Sequence, residues 1–345
     1  MPLPLPCCFN MRSRFHVRPR AVRALALVAL ASVTACTSSN ETTVRVTVPP
    51  GSSFGAAVDS LARAGVISSP KLFGFYASAR RRDRELKAGT YVFQPGTAWN
   101  GVLDAITRGK GLVHTVTIPE GFSLTSIAQL MGRALSVPPE SVMAAASDTA
   151  LRQRLDVPTS TLEGYLFPDT YTFAEGTSPS EAVRTLVARF ERAWKPEWDA
   201  RLRELTMSRH DIMTLASIIE KEARLAEERP VISAVYHNRL RIGMLLQADP
   251  TVQYALGKHV DRVLYKDLEV DSRYNTYKHV GLPPGPIASP GAASIEAALY
   301  PANVPYLYFV AHPDGHHEFR QTYAEHTAAR EQIRRSAPPR TPSRN

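Results

Sequence analysis

The stretch Val116-Thr-Ile-Pro-Glu-Gly-Phe-Ser123-Leu has an upstream echo, Val46-Thr-Val-Pro-Pro-Gly-Ser-Ser53-Phe. Each copy reads as a short strand, a Pro/Gly turn and a serine that opens a helix. β-Branched residues suit a pleated strand, Pro and Gly set the turn, and a serine hydroxyl accepts from the free amides of a first helical turn. Phe54, Ala57, Val58 and Leu61 follow at i, i+3, i+4 and i+7, the core face of such a helix. A third version, Tyr91-Val-Phe-Gln-Pro-Gly-Thr97, leads into a helix over 98–107. The pattern predicts strand 44–48, helix 52–64, helix 69–80 and strand 89–93, a βααβ unit.

That order and size resemble a LysM-like module, which implies a grip on N-acetylglucosamine-containing glycans or a spacer role. A second region is expected from about Asp156. Pro230 is placed to open a helix with Val231, Val235, Leu240 and Ile242 on its apolar side. Tyr306-Leu-Tyr-Phe-Val310 reads as a buried strand, paired with His317-Glu-Phe-Arg-Gln321 across a His312-Pro-Asp-Gly315 turn. Helices followed by strands give an α+β class: a LysM-like region over 44–155, then a mixed α/β catalytic domain over 156–335.

The ends carry the charge. Residues 1–36 hold five arginines and no acid, and residues 330–345 hold five arginines and one glutamate, which accounts for the net charge of +9. The middle is neutral, so nucleic acid is excluded as the main partner. The first end is an export or anchoring segment: Arg12 to Arg23 precede the apolar run Ala24–Ala35, whose 12 residues fall short of the roughly 20 a spanning helix needs. Val33-Thr-Ala-Cys36 resembles a bacterial lipobox, with Cys36 as the lipidated residue and Val33 where that motif more often has Leu. The alternative is an uncleaved signal anchor. Both put the folded part outside the cytoplasmic membrane, behind a polar tether over 37–43. The only cysteines are Cys7, Cys8 and Cys36, which suits an oxidising compartment. Residues 336–345 lack apolar content and read as a disordered tail.

The chemistry concentrates in Ile212-Met-Thr-Leu-Ala-Ser-Ile-Ile-Glu220-Lys-Glu222-Ala-Arg-Leu225. Burial raises a carboxyl pKa, which is how a protein keeps an acid protonated near neutral pH. At about 100° per residue, Glu222 points into the Ile212/Leu215/Ile218/Ile219/Leu225 face. Glu220 lies on a small-residue flank beside Met213, Ala216 and Ala223, where a substrate has room. Periodicity leaves the choice between them open. Glu163 and Asp169, with Tyr165, Phe167 and Tyr171, read either as sugar contacts or as a buried turn. Asp249 before Pro250 reads either as a helix N-cap or, with Gln247 and Thr251, as a support for the acid. Tyr274, Asn275 and Tyr277 precede a Pro/Gly loop suited to a groove wall. His312, His316, His317 and His326 cluster without a metal-site spacing, so no metal and no cofactor are expected.

Taken in order, Leu162-Glu-Gly-Tyr-Leu-Phe-Pro-Asp169-Thr-Tyr, Ala216-Ser-Ile-Ile-Glu220-Lys-Glu222-Ala, Asn238-Arg-Leu, Leu246-Gln-Ala-Asp249-Pro-Thr251-Val-Gln-Tyr254, Tyr274-Asn-Thr-Tyr277 and Gly281-Leu-Pro-Pro-Gly-Pro-Ile-Ala-Ser-Pro-Gly291 form a series. The series resembles the endolytic murein transglycosylases of the MltG, or YceG-like, family, from about Val44 to Arg330. The resemblance implies that Glu220 is the catalytic acid/base. It also implies a lyase that cuts MurNAc–GlcNAc bonds within nascent peptidoglycan strands, leaving 1,6-anhydroMurNAc ends. Such an enzyme works tethered to the membrane near peptidoglycan polymerases and transpeptidases. Glu222, Glu163, Asp169, Gln247, Asp249, Thr251, Tyr274, Asn275 and Tyr277 become expected supporting residues. A non-catalytic glycan-binding scaffold and a two-carboxylate hydrolase, with Glu163 or Asp169 as partner, are the competing readings.

Overall fold

The computed structural model describes residues 43–109, 111–257 and 263–336. The arginine-rich segment, Cys36, almost all of the tether and nearly the whole tail lie outside the described residues. In chain order the elements begin with β1 (Val44–Val48), α1 (Phe54–Arg63), α2 (Pro70–Ala79), β2 (Gly89–Phe93), α3 (Trp99–Arg108) and β3 (Leu112–Thr117). There follow α4 (Leu124–Leu135), α5 (Pro139–Ala145), α6 (Thr149–Arg154), β4 (Thr170–Ala174), α7 (Pro179–Ala193) and α8 (Pro196–Leu205). The chain continues through α9 (Arg209–Glu222), α10 (Arg229–Arg241), α11 (Asp249–Ala255) and α12 (Ala292–Leu299). It closes with β5 (Tyr308–Ala311), β6 (His317–Arg320) and α13 (Tyr323–Ser336). No helix among the described residues is long and apolar enough to cross a membrane.

The two strand–turn–helix copies fold alike. Gly51 and Gly121 take φ +78° and +74°, a left-handed conformation that glycine adopts without a Cβ penalty. Ser53 then accepts from Ala56 N, and Ser123 from Ser126 N. β1, β2, β3 and β4 make one antiparallel sheet in that order. Pairing runs over the whole of β1–β2, from Val44↔Phe93 to Val48↔Gly89, and over β3–β4 from Val113↔Ala174 to Thr117↔Thr170. Between β2 and β3 the register among the described residues is Thr90↔Val113 and Tyr91↔Leu112, with Val92 N donating to Gly111 O beyond it.

The cores divide at that weak seam. Val46, Val48, Leu61, Phe73, Tyr91, Phe93, Leu103, Ile106 and Leu112 form one cluster. Val116, Ile118 and the inner faces of α4, α7, α9, α10 and α12 form the other. Leu112 and Val116 belong to the same strand, so β3 serves both cores. The α+β class and the βααβ element order agree with the sequence.

Some local expectations change. α9 has no single apolar face: Ile212 through Ile219 are all buried, because α8, α10, α11 and α12 surround it. The helix ends at Glu222, so Leu225 lies outside it. α10 buries Ile232, Val235, Tyr236, Asn238 and Arg239, whereas Ile242 is 58% exposed. The polar pair is buried because it holds carbonyls of two loops: Asn238 donates to Val304 O and Tyr306 O and Arg239 to Leu307 O, before the hairpin, and Arg239 also to Leu246 O, after α10. The expected buried strand at 306–310 is a half-buried one, Tyr308–Ala311, in a two-stranded sheet, with Phe309 packed on Tyr236 of α10 and Tyr308 on Tyr323 and His326 of α13. Its partner and turn fall where the sequence places them.

Candidate active site

α9 is started by a capping box, in which Ser208 accepts from Asp211 N and the Asp211 carboxylate accepts from Ser208 N. Its last turn delivers Glu220 and Lys221 to the β3–α4 turn and Glu222 to Tyr236. The Glu220 side chain is 8% exposed. Its Oε2 accepts from Gly291 N at 3.1 Å, and Arg229 Nη2 stands 3.9 Å from Oε1. Arg229 is itself held by Ser294, whose Oγ accepts from its Nε at 3.1 Å.

The Pro/Gly loop before α12 builds this corner. It is buried from Gly285 to Gly291 rather than forming an open wall. Ile287 N donates to Ser217 Oγ, Ser289 N donates to Phe122 O, and Gly121 N donates to Ser289 O. The β3–α4 turn is thereby pinned against the end of α9. Lys221 Nζ adds a bond to Gly121 O at 3.3 Å.

Glu120, from that turn, was not singled out by the sequence. Its carboxyl occupies the place where a Cβ on Gly291 would go. Burial, and next the Glu220 charge, raise its pKa above the usual carboxylate range, while Arg229 opposes them. A signal existed in the two copies of the turn, where Pro50 of the first stands against Glu120 of the second.

Glu222 turns the other way. Its Oε1 accepts from Tyr236 OH at 3.2 Å, and burial, reinforced by the Asp249 charge, pushes its carboxyl up to about 7. Asp249 is the first residue of α11 rather than its N-cap, a place taken by Ala248. Its Oδ1 accepts from Tyr277 OH at 2.5 Å. Glu222, Tyr236, Asp249 and Tyr277 thus form one polar cluster.

Glu163 anchors a third group. It is 5% exposed; Oε1 accepts from Leu124 N at 2.8 Å and Oε2 from Tyr254 OH at 3.4 Å. Burial pushes its carboxyl up to about 7. Tyr274 packs on Tyr254 with ring centroids 4.8 Å apart. A cavity of about 670 Å³ joins this group to the end of α9, lined among others by Gly121, Lys221, Glu163, Gln253, Tyr254 and Ile287.

The remaining expected residues lie outside these groups. Asp169 accepts from the Thr170 amide and from Arg189 Nε at 2.6 Å, which in that order keep its carboxyl below the usual range. Thr251 is fully buried, donating to Ala248 O and sharing a hydrogen bond with Thr276. Asn275 is buried and donates to Leu268 O and Val270 O, fastening the loop that carries Tyr274 and Tyr277. Gln247 has an exposed side chain and a left-handed backbone, φ +50°. Tyr165, Phe167 and Tyr171 are core residues, so their rings face protein. Of the histidines, His312 pairs with Glu318, His316 with Asp314 and the buried His317 with Glu228.

The profile of the YceG-like family matches residues 46–332. The chain belongs to the YceG-like family. A Bacillus subtilis relative named endolytic murein transglycosylase is 38% identical over 307 residues, 85% of each chain. A Streptococcus pneumoniae relative with the same name is 31% identical over 299 residues, 78% of this chain and 54% of that one. The crystal structure of a YceG-like protein from Listeria monocytogenes, at 35% identity, superposes with a TM-score of 0.61 over 83% of this chain and 98% of its own.

Proposed function

We propose that this chain is an endolytic murein transglycosylase in which Glu220 acts first as acid and then as base. The observation that carries the reading is the environment of that carboxyl. Its Oε2 accepts from the Gly291 amide, which leaves Oε1 for the glycosidic oxygen, and the cavity lined by Lys221 and Gly121 opens beside it. Oε1 gives its proton to the leaving oxygen of a MurNAc–GlcNAc link. The resulting carboxylate is stabilised by the Gly291 amide and the Arg229 cation. It then takes the proton of the MurNAc C6 hydroxyl, which closes on C1 to give the 1,6-anhydro end. No water is consumed, so the step is that of a lyase.

Glu163, Tyr254 and Tyr274 are the substrate-facing wall in this reading, because they line or adjoin the cavity. Glu222, Asp249 and Tyr277 support the end of α9 and the α11 start from behind. Thr251, Asn275, Gln247 and Asp169 act through the loops and strand they hold. The region from residue 44 serves as a LysM-like grip on glycan, and the segment before it as a signal anchor or Cys36-linked lipid anchor. The catalytic region then works on the extracytoplasmic face of the inner membrane, beside peptidoglycan polymerases and transpeptidases.

Glu120, whose carboxyl lies against the α-carbon of Gly291, is the candidate second carboxylate of the two-carboxylate hydrolase reading. Mass spectrometry of digested glycan strands separates the readings. Anhydro ends are expected, reducing ends would select the hydrolase, and intact strands a non-catalytic binder. Glu220→Gln should lower the rate of anhydro-end release by at least about 10²–10⁴-fold; a variant that releases them at a near-normal rate sinks the assignment.

A further inference from the structure

The end of α9 carries a cation that the acid-and-base cycle does not use. Glu220 and Lys221 are consecutive, and both side chains lie against Gly121. Glu220 Cγ and Lys221 Cδ each stand 3.6 Å from the point that a Cβ on Gly121 would occupy. Lys221 is therefore laid over the same turn as the carboxyl. Its Nζ donates to Gly121 O at 3.3 Å, a long bond that takes one of the three donors of an ammonium. The cation paired with Glu220 is Arg229, and Glu222 turns away to Tyr236. Among the described residues no ion pair involves Lys221, which is exposed.

Lys221 lines the cavity of about 670 Å³, and so does Glu163. These two are the charge-bearing side chains among the described lining residues; the others are hydroxyls, amides and apolar groups such as Ser126, Gln129, Phe122 and Ile287. Burial pushes the Glu163 carboxyl up to about 7, so through the acidic range the cavity presents one cation and no anion. An ammonium with two donors to spare, facing a partly enclosed space, suits a ligand that brings a carboxylate.

The sugar cut in the proposed reaction supplies one. MurNAc carries a lactyl ether at C3, two ring atoms from the C1 that is attacked. The lactyl carboxyl is free on a stem-free strand. On a strand with a peptide stem it is amide-linked, and the carboxylates of the stem lie further out. We infer that Lys221 is a specificity-determining residue that binds a carboxylate of the MurNAc C3 substituent and selects acidic glycan strands over neutral ones. This rests on the transglycosylase reading of the site.

The test compares kcat/KM of the full-length wild type, Lys221→Met and Lys221→Arg on three strands, with thermal melts as the folding control. The strands are stem-bearing, stem-free, and stem-free with the lactyl carboxyl converted to its methylamide, which removes the only carboxyl there. Lys221→Met should lose about tenfold or more on a carboxylate-bearing strand, mainly through KM, and stay within about threefold of wild type on the methylamide. Lys221→Arg should keep the wild-type preference. A loss on the stem-free strand identifies the lactyl carboxylate, and a loss confined to the stem-bearing strand identifies a stem carboxylate; both support the inference. Equal loss on all three strands would make Lys221 only a holder of the Gly121 turn, and no loss on any would leave it without a ligand; either overturns the inference. Strand binding in a Glu220→Gln background should show the same selectivity without turnover. Reducing ends or intact strands from the wild type defeat the parent reading instead, whatever Lys221→Met does.

Discussion

Glu163 remains protonated into the neutral range because it is buried behind Leu124 and Tyr254, and that has a consequence for stability. Its carboxyl is pushed up to about 7 in the folded chain from an ordinary value near 4.5. Below about pH 4.5 both folded and unfolded states bind the proton, and the group is neutral to stability. As pH rises through 4.5 the unfolded state ionises and the folded state does not, so stability falls until about pH 7 and then levels off. The ceiling on this effect is about 3 kcal/mol. Glu163→Gln should therefore gain stability relative to wild type between about pH 4.5 and 7, as read by denaturant titration across that range. A constant difference across the range would contradict the linkage. At this scale the sequence showed which residues bear carboxyls but not which burial would perturb. The wheel set Glu222 toward the core, and the structure encloses it beside Tyr236. Neither Glu120, which stands in a turn 100 residues before Glu220, nor Arg229, which opens the next helix, is marked by periodicity as a neighbour of that carboxyl.

At the level of elements, the site depends on how the 285–291 loop threads between α9 and the two turns that meet it. One crowded point is Gly164, at φ +84°, where a methyl would overlap Pro286. Gly164→Ala should cost about 2–4 kcal/mol, combining left-handed strain with overpacking. Chemical denaturation of the variant measures it, and a cost below about 1 kcal/mol would show that the loop can shift aside. The helices and strands themselves were legible because caps, turn residues and period are local signals. The environment of α9 was not: its periodicity suggests one buried face, while neighbours on every side bury the whole helix from Ile212 to Ile219. Buried Asn238 and Arg239 on α10 were missed for a related reason, since the carbonyls they hold come from 304–307 and 245–246.

Across the whole molecule, two cores meet in one strand, and among the described residues the β2–β3 register that joins them pairs Thr90↔Val113 and Tyr91↔Leu112, with Val92 N donating to Gly111 O. So sparse a seam should let the two parts open separately. Native-state hydrogen exchange should give the amides of β1, β2 and α1–α3 one common opening free energy, distinct from that of α9 and α10. A single shared value would refute this. The sequence by itself determined the α+β class, the repeated strand–turn–helix unit, the family and the motif holding Glu220, all written in local pattern and motif order. Only the tertiary structure decided which carboxyls are buried and which groups face Glu220. Packing also placed the sequence-marked aromatics Tyr165, Phe167 and Tyr171 in the core. Those outcomes depend on contacts between segments far apart in the chain, and desolvation and charge coupling arise only once such segments are packed together.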